Sequence, residues 1–168
     1  MTHVAFFRNL NHGQRGNPDS DLIGTAFGEA GATNVRLVRS NGTVVFTARD
    51  PGSVADGAAA LLVVRSRWDD IHFVRDLAWL RDLVHELAEL DPLAQQRTEV
   101  TFFEQSADPL SLLPIEAPRC TVVRGGPGYA VTLNSVDLVS DSTPMIERAL
   151  GVSATSRALS TLDRLTVF

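Results

Sequence analysis

The stretch Val4-Ala5-Phe6-Phe7-Arg8-Asn9-Leu10-Asn11-His12-Gly13 decides the fold of the chain. Its apolar beginning, Val4–Phe7, predicts a short buried strand, and its polar, glycine-containing end predicts a loop. The next segment, Asn17-Pro18-Asp19-Ser20-Asp21, predicts the start of a helix. Asparagine is a good helix cap, proline suits the first helical position, and carboxylates favour the positive end of the helix dipole. The chain therefore opens with a strand, a loop and a helix.

A β-hairpin is predicted next. The β-type runs Asn34–Arg39 and Thr43–Thr47 flank Ser40-Asn41-Gly42, and Asn-Gly between two such runs is a strong hairpin signal. Asp50-Pro51 predicts the start of a second helix, although the apolar residues Leu61–Val64 alone are equally compatible with a strand. A further strand is predicted at Ile71–Val74. The resulting order of elements is βαββαβ.

This order is the ferredoxin-like arrangement, and it predicts an α+β subdomain over residues 1–92. Asp76–Leu90 predicts the strongest helix, because its leucines form one stripe, and Asp91-Pro92 ends it. Residues 93–168 predict a second, smaller α+β subdomain packed on the first, beginning with a connector at Leu93–Arg97. The predicted fold class is therefore α+β.

The second half of the chain partly repeats the first. Glu99-Val100-Thr101-Phe102-Phe103-Glu104 echoes His3-Val4-Ala5-Phe6-Phe7-Arg8, which suggests two related halves. The other elements predicted here are strands at Glu99–Gln105, Arg119–Arg124 and Tyr129–Asn134, a Pro- and Leu-containing segment at Asp108–Pro118, a turn at Gly125-Gly126-Pro127-Gly128, a helix from Thr143 to Gly151 and a short amphipathic helix at Arg157–Leu165.

Composition excludes several classes of function. The net charge of −5 argues against a general nucleic-acid binder, which normally carries a basic excess. All 15 basic residues are arginine, which excludes Schiff-base chemistry and the lysine of a phosphate-binding P-loop. No apolar run approaches the ~20 residues of a membrane span, and no secretion leader is evident. A cytoplasmic protein with no membrane association is expected.

The sequence contains no motif for a metal or another cofactor, so none is expected. No pair of histidines stands at metal-ligand spacing, and neither a Gly-x-Ser-x-Gly elbow nor a nucleotide-binding glycine fingerprint is present. Cys120 is the single cysteine, so an intramolecular disulfide or a cysteine metal cluster is excluded. We expect it to be a small buried residue on a strand.

Three stretches, at residues 6–13, 38–46 and 150–162, carry a resemblance to a known family. They are similar to the LLRGINVGG, YIQSGNVVF and LGVPATTRNWNTV stretches of the domain of unknown function 1697 (DUF1697) family. The resemblance implies a small cytoplasmic bacterial protein with two α+β subdomains, the first ferredoxin-like, and it implies no reaction. The chain resembles a divergent member, because Asn9 replaces a glycine and Ala158-Leu159-Ser160 replaces Asn-Trp-Asn.

One edge of the first subdomain is the predicted binding site. With right-handed crossovers, the end of strand 1, the start of helix 1, the hairpin turn and the loop into strand 4 share this edge. Guanidinium forks and a helix dipole favour phosphate or carboxylate, so a small anionic or phosphorylated ligand is predicted. The predicted ligand-binding residues are Arg8, Asn11, His12, Arg15, Arg39, Ser40, Asn41 and Arg65, with Arg67 beside them.

Two readings without a small ligand stay open. The arginines of this edge could form a solvated rim by pairing with Asp19, Asp21, Asp69 and Asp70. The protein could also be a structural or partner-binding module, in which Trp68 and Trp79 belong to the core or to a self-association surface. The sequence leaves the oligomeric state open.

RNA binding and catalysis are further alternatives. Ala5–Leu10 is similar to the strand 1 motif of ferredoxin-like RNA-recognition domains, but Asn41 and Thr43 stand where the stacking aromatics of strand 3 belong. Whether the protein is an enzyme is left open. Among the histidines His12 alone lies at the predicted edge, whereas His72 and His85 are expected to be structural or surface residues.

Overall fold

The computed structural model describes residues 1–90, 92–107, 116–136 and 140–168, and it does not describe the side chains of Pro92, Leu93 and Glu116. The chain is a mixed α+β protein with one four-stranded and one five-stranded antiparallel sheet, which confirms the predicted class. It divides into two compact units, Met1–Leu80 and Arg81–Phe168. The division between residues 92 and 93 stays a prediction. No helix within the described ranges is long and apolar enough to cross a bilayer.

Unit 1 contains the first sheet and the helices that cover one of its faces. Its elements are β1 (Thr2–Phe7), α1 (Ser20–Glu29), β2 (Thr33–Val38), β3 (Thr43–Thr47), α2 (Pro51–Arg65), β4 (His72–Asp76) and the start of α3 (Leu77–Leu87). The strands are ordered β2-β3-β1-β4, and every neighbouring pair is antiparallel. β1 therefore lies in the middle of the sheet, as its apolar composition predicts.

Aromatic side chains form the centre of the core between this sheet and its helices. Phe7 lies edge-on to Phe27 and Trp68, with ring centroids 5.8 and 5.2 Å away. Phe27 in turn lies 5.0 Å from Phe46 of β3. Large buried rings supply much of the hydrophobic stabilisation of a core of this size. The end of β1 is thereby held firmly at the point where the following loop begins.

The first helix begins two residues later than the sequence predicts. Asp19, and not Asn17, is the cap, because its Oδ1 accepts the backbone N–H of Leu22 at 2.8 Å. The Asn17 side chain instead accepts the backbone N–H of Asn11 at 3.2 Å, inside the loop. A carboxylate of the chain therefore occupies the N-terminus of α1, where the helix dipole favours negative charge.

Unit 2 contains the second sheet. Its elements are the end of α3, α4 (Pro92–Arg97), β5 (Thr98–Phe102), β6 (Glu116–Ala117), β7 (Cys120–Gly126), β8 (Tyr129–Asn134), α5 (Ser142–Leu150), β9 (Thr155–Ala158) and α6 (Leu159–Leu162), followed by a 3-10 turn (Asp163–Leu165). The strands are ordered β6-β7-β8-β5-β9. β5 lies between its two antiparallel partners, as β1 does in unit 1.

Several boundaries differ from the predicted ones. Leu61–Val64 belongs to α2, whereas Leu93–Arg97 is part of the helix α4 and not an irregular connector. Arg157–Leu165 is not one helix, because Thr155–Ala158 forms β9 beside β5 before α6 begins. Gly125 and Gly126 end β7, so the turn is shorter than predicted. Most of the predicted Pro- and Leu-containing segment lies outside the described residues.

The central strands β1 and β5 pair with their own neighbours at equivalent positions. Val4 of β1 pairs with Arg75 of β4, and Val100 of β5 pairs with Arg157 of β9. Both arginines are buried, each donates from Nη1 to the carbonyl of the preceding residue at 2.8 Å, and burial lowers the pKa of each to about 10. The echo between the two strand sequences therefore corresponds to equivalent positions in the two sheets.

In both units a hydrogen bond joins the end of the central strand to a glycine in the hairpin turn. The backbone N–H of Phe7 donates to the carbonyl of Gly42 at 2.8 Å, and that of Phe103 donates to Gly128 at 3.1 Å. Both glycines have positive φ, at 67° and 78°. The hairpin turn is thus anchored to the end of the central strand in each unit.

Candidate functional site

A cleft lies at the edge of unit 1 where β1 ends. It has a volume of about 280 Å³ and lies between the loop after β1 and the loop before β4. Its lining residues are Asn9, Arg15, Gly16, Asn17, Arg67, Trp68, Asp69 and Asp70. Two loops that are distant in sequence therefore build one polar surface on the predicted edge.

Buried anchors and backbone contacts hold the two walls together. Leu10 and Trp68 are 1% and 4% exposed, and Trp68 Nε1 donates to the carbonyl of Arg8 at 2.8 Å. The backbone N–H of Arg67 donates to the carbonyl of Gly16 at 3.0 Å. Gly16 has a φ of +90°, and a Cβ there would lie 3.5 Å from Cδ of Arg67. Glycine therefore suits this position by its backbone conformation, while the distance to Arg67 is that of an ordinary van der Waals contact.

Asp70 organises one side of the cleft. Its carboxylate accepts from Asn9 Nδ2 at 2.7 Å and from the backbone N–H of Ile71 at 2.8 Å. Arg8 Nη1 lies 3.8 Å from the same carboxylate. Arg8 therefore faces one of the aspartates, and the shorter contacts of Asp70 are those with the loop residues Asn9 and Ile71.

Arg15, Arg67 and Asp69 are not neutralised in this way. All three side chains are exposed, and none of them forms an ion pair within the part of the chain that the structure describes. Guanidinium groups present planar arrays of donors that match phosphate and carboxylate oxygens. Two such groups on one cleft form a surface that can hold an anion.

Part of the predicted set meets at the hairpin and not in the cleft. The backbone N–H of His12 donates to the carbonyl of Ser40 at 3.0 Å. His12 Nε2 lies 2.9 Å from the carbonyl of Arg39, and because a carbonyl only accepts, this nitrogen carries the proton. Arg39 has a φ of +60°, and Asn41 accepts from Thr43 Oγ1 at 2.9 Å. These contacts join the loop after β1 to the hairpin.

Arg65 is not brought to this edge. Its Nη1 and Nη2 donate to the Glu29 carboxylate at 3.0 and 2.7 Å, and this contact lowers the pKa of Glu29. Helical side chains lean towards the helix N-terminus, so Arg65 in the last turn of α2 extends away from the loops. Arg67, just beyond the helix, lines the cleft instead.

Of the predicted ligand-binding residues, Arg15 alone lines the cleft. The sequence does not indicate Asn9 and Asn17 as lining residues, and it indicates Asp69 and Asp70 only as partners for arginines. Their position in the sequence could have indicated them, because Asn9 and Asn17 belong to the loop after β1, and Asp69 and Asp70 belong to the loop before β4. Arg8 lies at the end of β1, where its guanidinium faces Asp70.

The other candidate side chains, His72, His85 and Cys120, are not among the residues that line the cleft. His72 stacks on Phe7 with ring centroids 5.2 Å apart, its Nε2 lies 3.2 Å from Asp56, and burial lowers its pKa. Cys120 is buried, which raises the pKa of its thiol, as expected for a small core residue. His85 is exposed. Within the described ranges, no group of three His, Cys, Asp or Glu residues could hold a metal ion.

A second polar cluster lies inside unit 2, around Glu99. Its Oε2 accepts from Ser142 Oγ at 2.6 Å, Ser140 Oγ at 2.7 Å and Asn134 Nδ2 at 3.2 Å. Ser142 Oγ also lies 2.6 Å from Thr132 Oγ1, and both residues are fully buried. Fully satisfied networks of this kind stabilise and specify a core, so we assign this cluster to the fold.

Comparisons with known proteins agree with the fold and give no activity. No curated protein matches the sequence. The solved structure described as that of conserved bacterial protein SP0830 from Streptococcus pneumoniae shares the fold, with a TM-score of 0.65 and 14% identity over 99% of this chain and 97% of that chain. The family described as "Protein of unknown function (DUF1697)" matches residues 1–123, which include all of unit 1 and its cleft. The chain therefore belongs to the DUF1697 family.

Proposed function

We propose that this protein binds a small anionic or phosphorylated ligand in the cleft of unit 1, through Arg15 and Arg67. The observation that carries the proposal is the pair of exposed guanidinium groups without an ion pair in the described residues, both lining a cleft of about 280 Å³.

The anchored walls favour binding at this place. Trp68 and Leu10 are buried, and the contact between Arg67 and Gly16 fixes the two loops before any ligand arrives. Preorganised loops reduce the ordering cost that opposes binding. A charge-assisted hydrogen bond contributes roughly 1.5–3 kcal/mol, so two guanidinium forks suffice for a weak to moderate small-molecule site.

The same proposal includes a finer description of the fold and its setting. We infer that unit 1 is ferredoxin-like, and its order of elements and the strand order β2-β3-β1-β4 support this. We also infer a bacterial protein of the cytoplasm, which rests on the family resemblance. The subdomain division at residues 1–92 and 93–168 belongs to this description.

Isothermal titration at low salt tests the proposed site. The probes are inorganic phosphate, a hexose phosphate and a nucleoside monophosphate, titrated into the wild type, Arg15→Ala and Arg67→Ala. Each substitution removes one charged donor and is expected to weaken the best-bound probe about tenfold or more. Arg65→Ala is the matched control, because its guanidinium binds Glu29 and lies outside the cleft lining.

Arg39→Ala extends the experiment to the hairpin, where the carbonyl of Arg39 contacts the His12 side chain. An effect there would extend the site to the hairpin, and no effect would confine it to the cleft. A probe that binds tightly and is unaffected by Arg15→Ala and Arg67→Ala would refute the proposed function. An equal loss of binding in Arg65→Ala would also refute it, because only the overall charge would then matter.

A further inference from the structure

The cleft also presents acceptors, which a site for a bare anion does not need. Asp69 is exposed, it lines the cleft, and no ion pair neutralises it within the described ranges. A carboxylate only accepts hydrogen bonds, and it repels any anion held nearby. It lies two residues after Arg67 in the loop before β4, and both side chains line the cleft.

The orientation of two side-chain amides adds to this pattern. Asn9 donates through Nδ2 to the Asp70 carboxylate, so its carbonyl oxygen is the free end. Asn17 accepts the backbone N–H of Asn11 through Oδ1, so its NH₂ group is the free end. The Arg15 and Asn17 groups are therefore donors, whereas the Asp69 and Asn9 groups are acceptors.

We infer that the cleft selects an anion that also carries a hydrogen-bond donor close to its charged group, with Asp69 as the acceptor. This inference rests on the proposed function and names its ligand class. The donor is a hydroxyl or an ammonium group, as in a phosphorylated polyol or an amino acid zwitterion. The guanidinium groups bind the anionic end, and the carboxylate binds the donor end.

Asp69→Asn tests this inference, because it is expected to change the affinities for the two kinds of ligand in opposite directions. The substitution keeps the size of the side chain and removes its charge, and none of the contacts described for the loop involves this side chain. Loss of the carboxylate is expected to weaken a ligand that carries a donor. It is expected to strengthen binding of a bare anion, because the repulsion disappears.

Matched probes separate the two donor types. A hexose phosphate is compared with methyl phosphate, and glutamate is compared with its N-acetyl derivative, by isothermal titration. The wild type is expected to bind at least one donor-bearing probe about tenfold more tightly than its matched partner. In Asp69→Asn this ratio is expected to fall, because a neutral amide oxygen is a weaker acceptor than a carboxylate, while the affinity for methyl phosphate rises. The pair that shows the preference identifies the donor as hydroxyl or ammonium.

The outcomes distinguish this inference from the proposed function. If methyl phosphate and hexose phosphate bind equally and both depend on Arg15 and Arg67, the anion site stands and the donor inference is wrong. If Asp69→Asn weakens every probe equally, the carboxylate only supports the loop and the inference is again wrong. If no probe binds the wild type, both proposals fail.

Discussion

Replacing Gly42 by alanine is expected to destabilise the protein strongly. Gly42 has a φ of +67°, a conformation that costs an L-residue about 1–2 kcal/mol. A Cβ at this position would lie 3.0 Å from the Cβ and carbonyl oxygen of Leu10 and from the Cβ of Phe7. Overpacking a well-filled site costs a further 1–3 kcal/mol or so. The expected loss in free energy of unfolding is therefore about 2–5 kcal/mol.

Two other glycines separate these contributions. Gly31 has a φ of +98° with nothing within 4 Å of its Cβ position, so Gly31→Ala is expected to show the backbone cost alone, about 1–2 kcal/mol. Gly28 lies inside α1 with open space around it, so Gly28→Ala is expected to stabilise the protein by about 0.5–1 kcal/mol. The sequence does not distinguish these glycines in this way, because the difference lies in the contacts.

Urea denaturation followed by tryptophan fluorescence measures the series, because Trp68 lies in the core of unit 1. The midpoints should fall in the order Gly28→Ala, wild type, Gly31→Ala and Gly42→Ala, at an unchanged m-value. A Gly42→Ala protein as stable as Gly31→Ala would refute the reasoning, since the contacts with Leu10 and Phe7 would then be harmless.

Two further predictions concern buried polar groups. Ser142→Ala is expected to lower the free energy of unfolding by about 1–3 kcal/mol, because Glu99 loses a buried donor, and Ser140→Ala, at an exposed donor to the same oxygen, should lower it less. Urea denaturation checks both, and equal effects would contradict the assignment of the cluster to the fold. Burial lowers the pKa of His72 from 6.5, so the unfolded state binds more protons and stability is lost as pH falls below about 6.5. The urea midpoint should therefore drop between pH 7.5 and pH 5.5, and His72→Gln should flatten this drop; an unchanged slope would contradict it.

Much of the fold could be predicted where local signals are strong. The Asn-Gly hairpin and the second helix, which Asp50 caps, lie where the sequence places them. The strand β9 could not be predicted, because Thr155–Ala158 has no alternating apolar pattern and is extended only by pairing with β5. Its buried Arg157 also contradicts the usual expectation that arginine faces solvent.

The sequence predicts the edge at which the cleft lies, but it indicates only some of the residues that line the cleft. Crossover handedness places the two loops on one edge, so Arg15 and Arg67 could be assigned there. Arg65 does not line the cleft, because its side chain extends towards Glu29. The loop after β1 turns at Asn9, which has a positive φ that no sequence pattern specifies. The cleft therefore depends on loop conformation, which local propensity does not determine.

The shared register of β1 and β5 has a consequence for misfolding. Two similar central strands in one chain compete for the same neighbours during folding, as repeats do when they misassemble. In the place of β1, Glu99 would take the position of His3, opposite Phe46 and Asp76. It would then face a like charge and lose its hydroxyl and amide donors, which is costly for a carboxylate. Glu99 at the start of β5 thus disfavours the pairing of this strand in the first sheet.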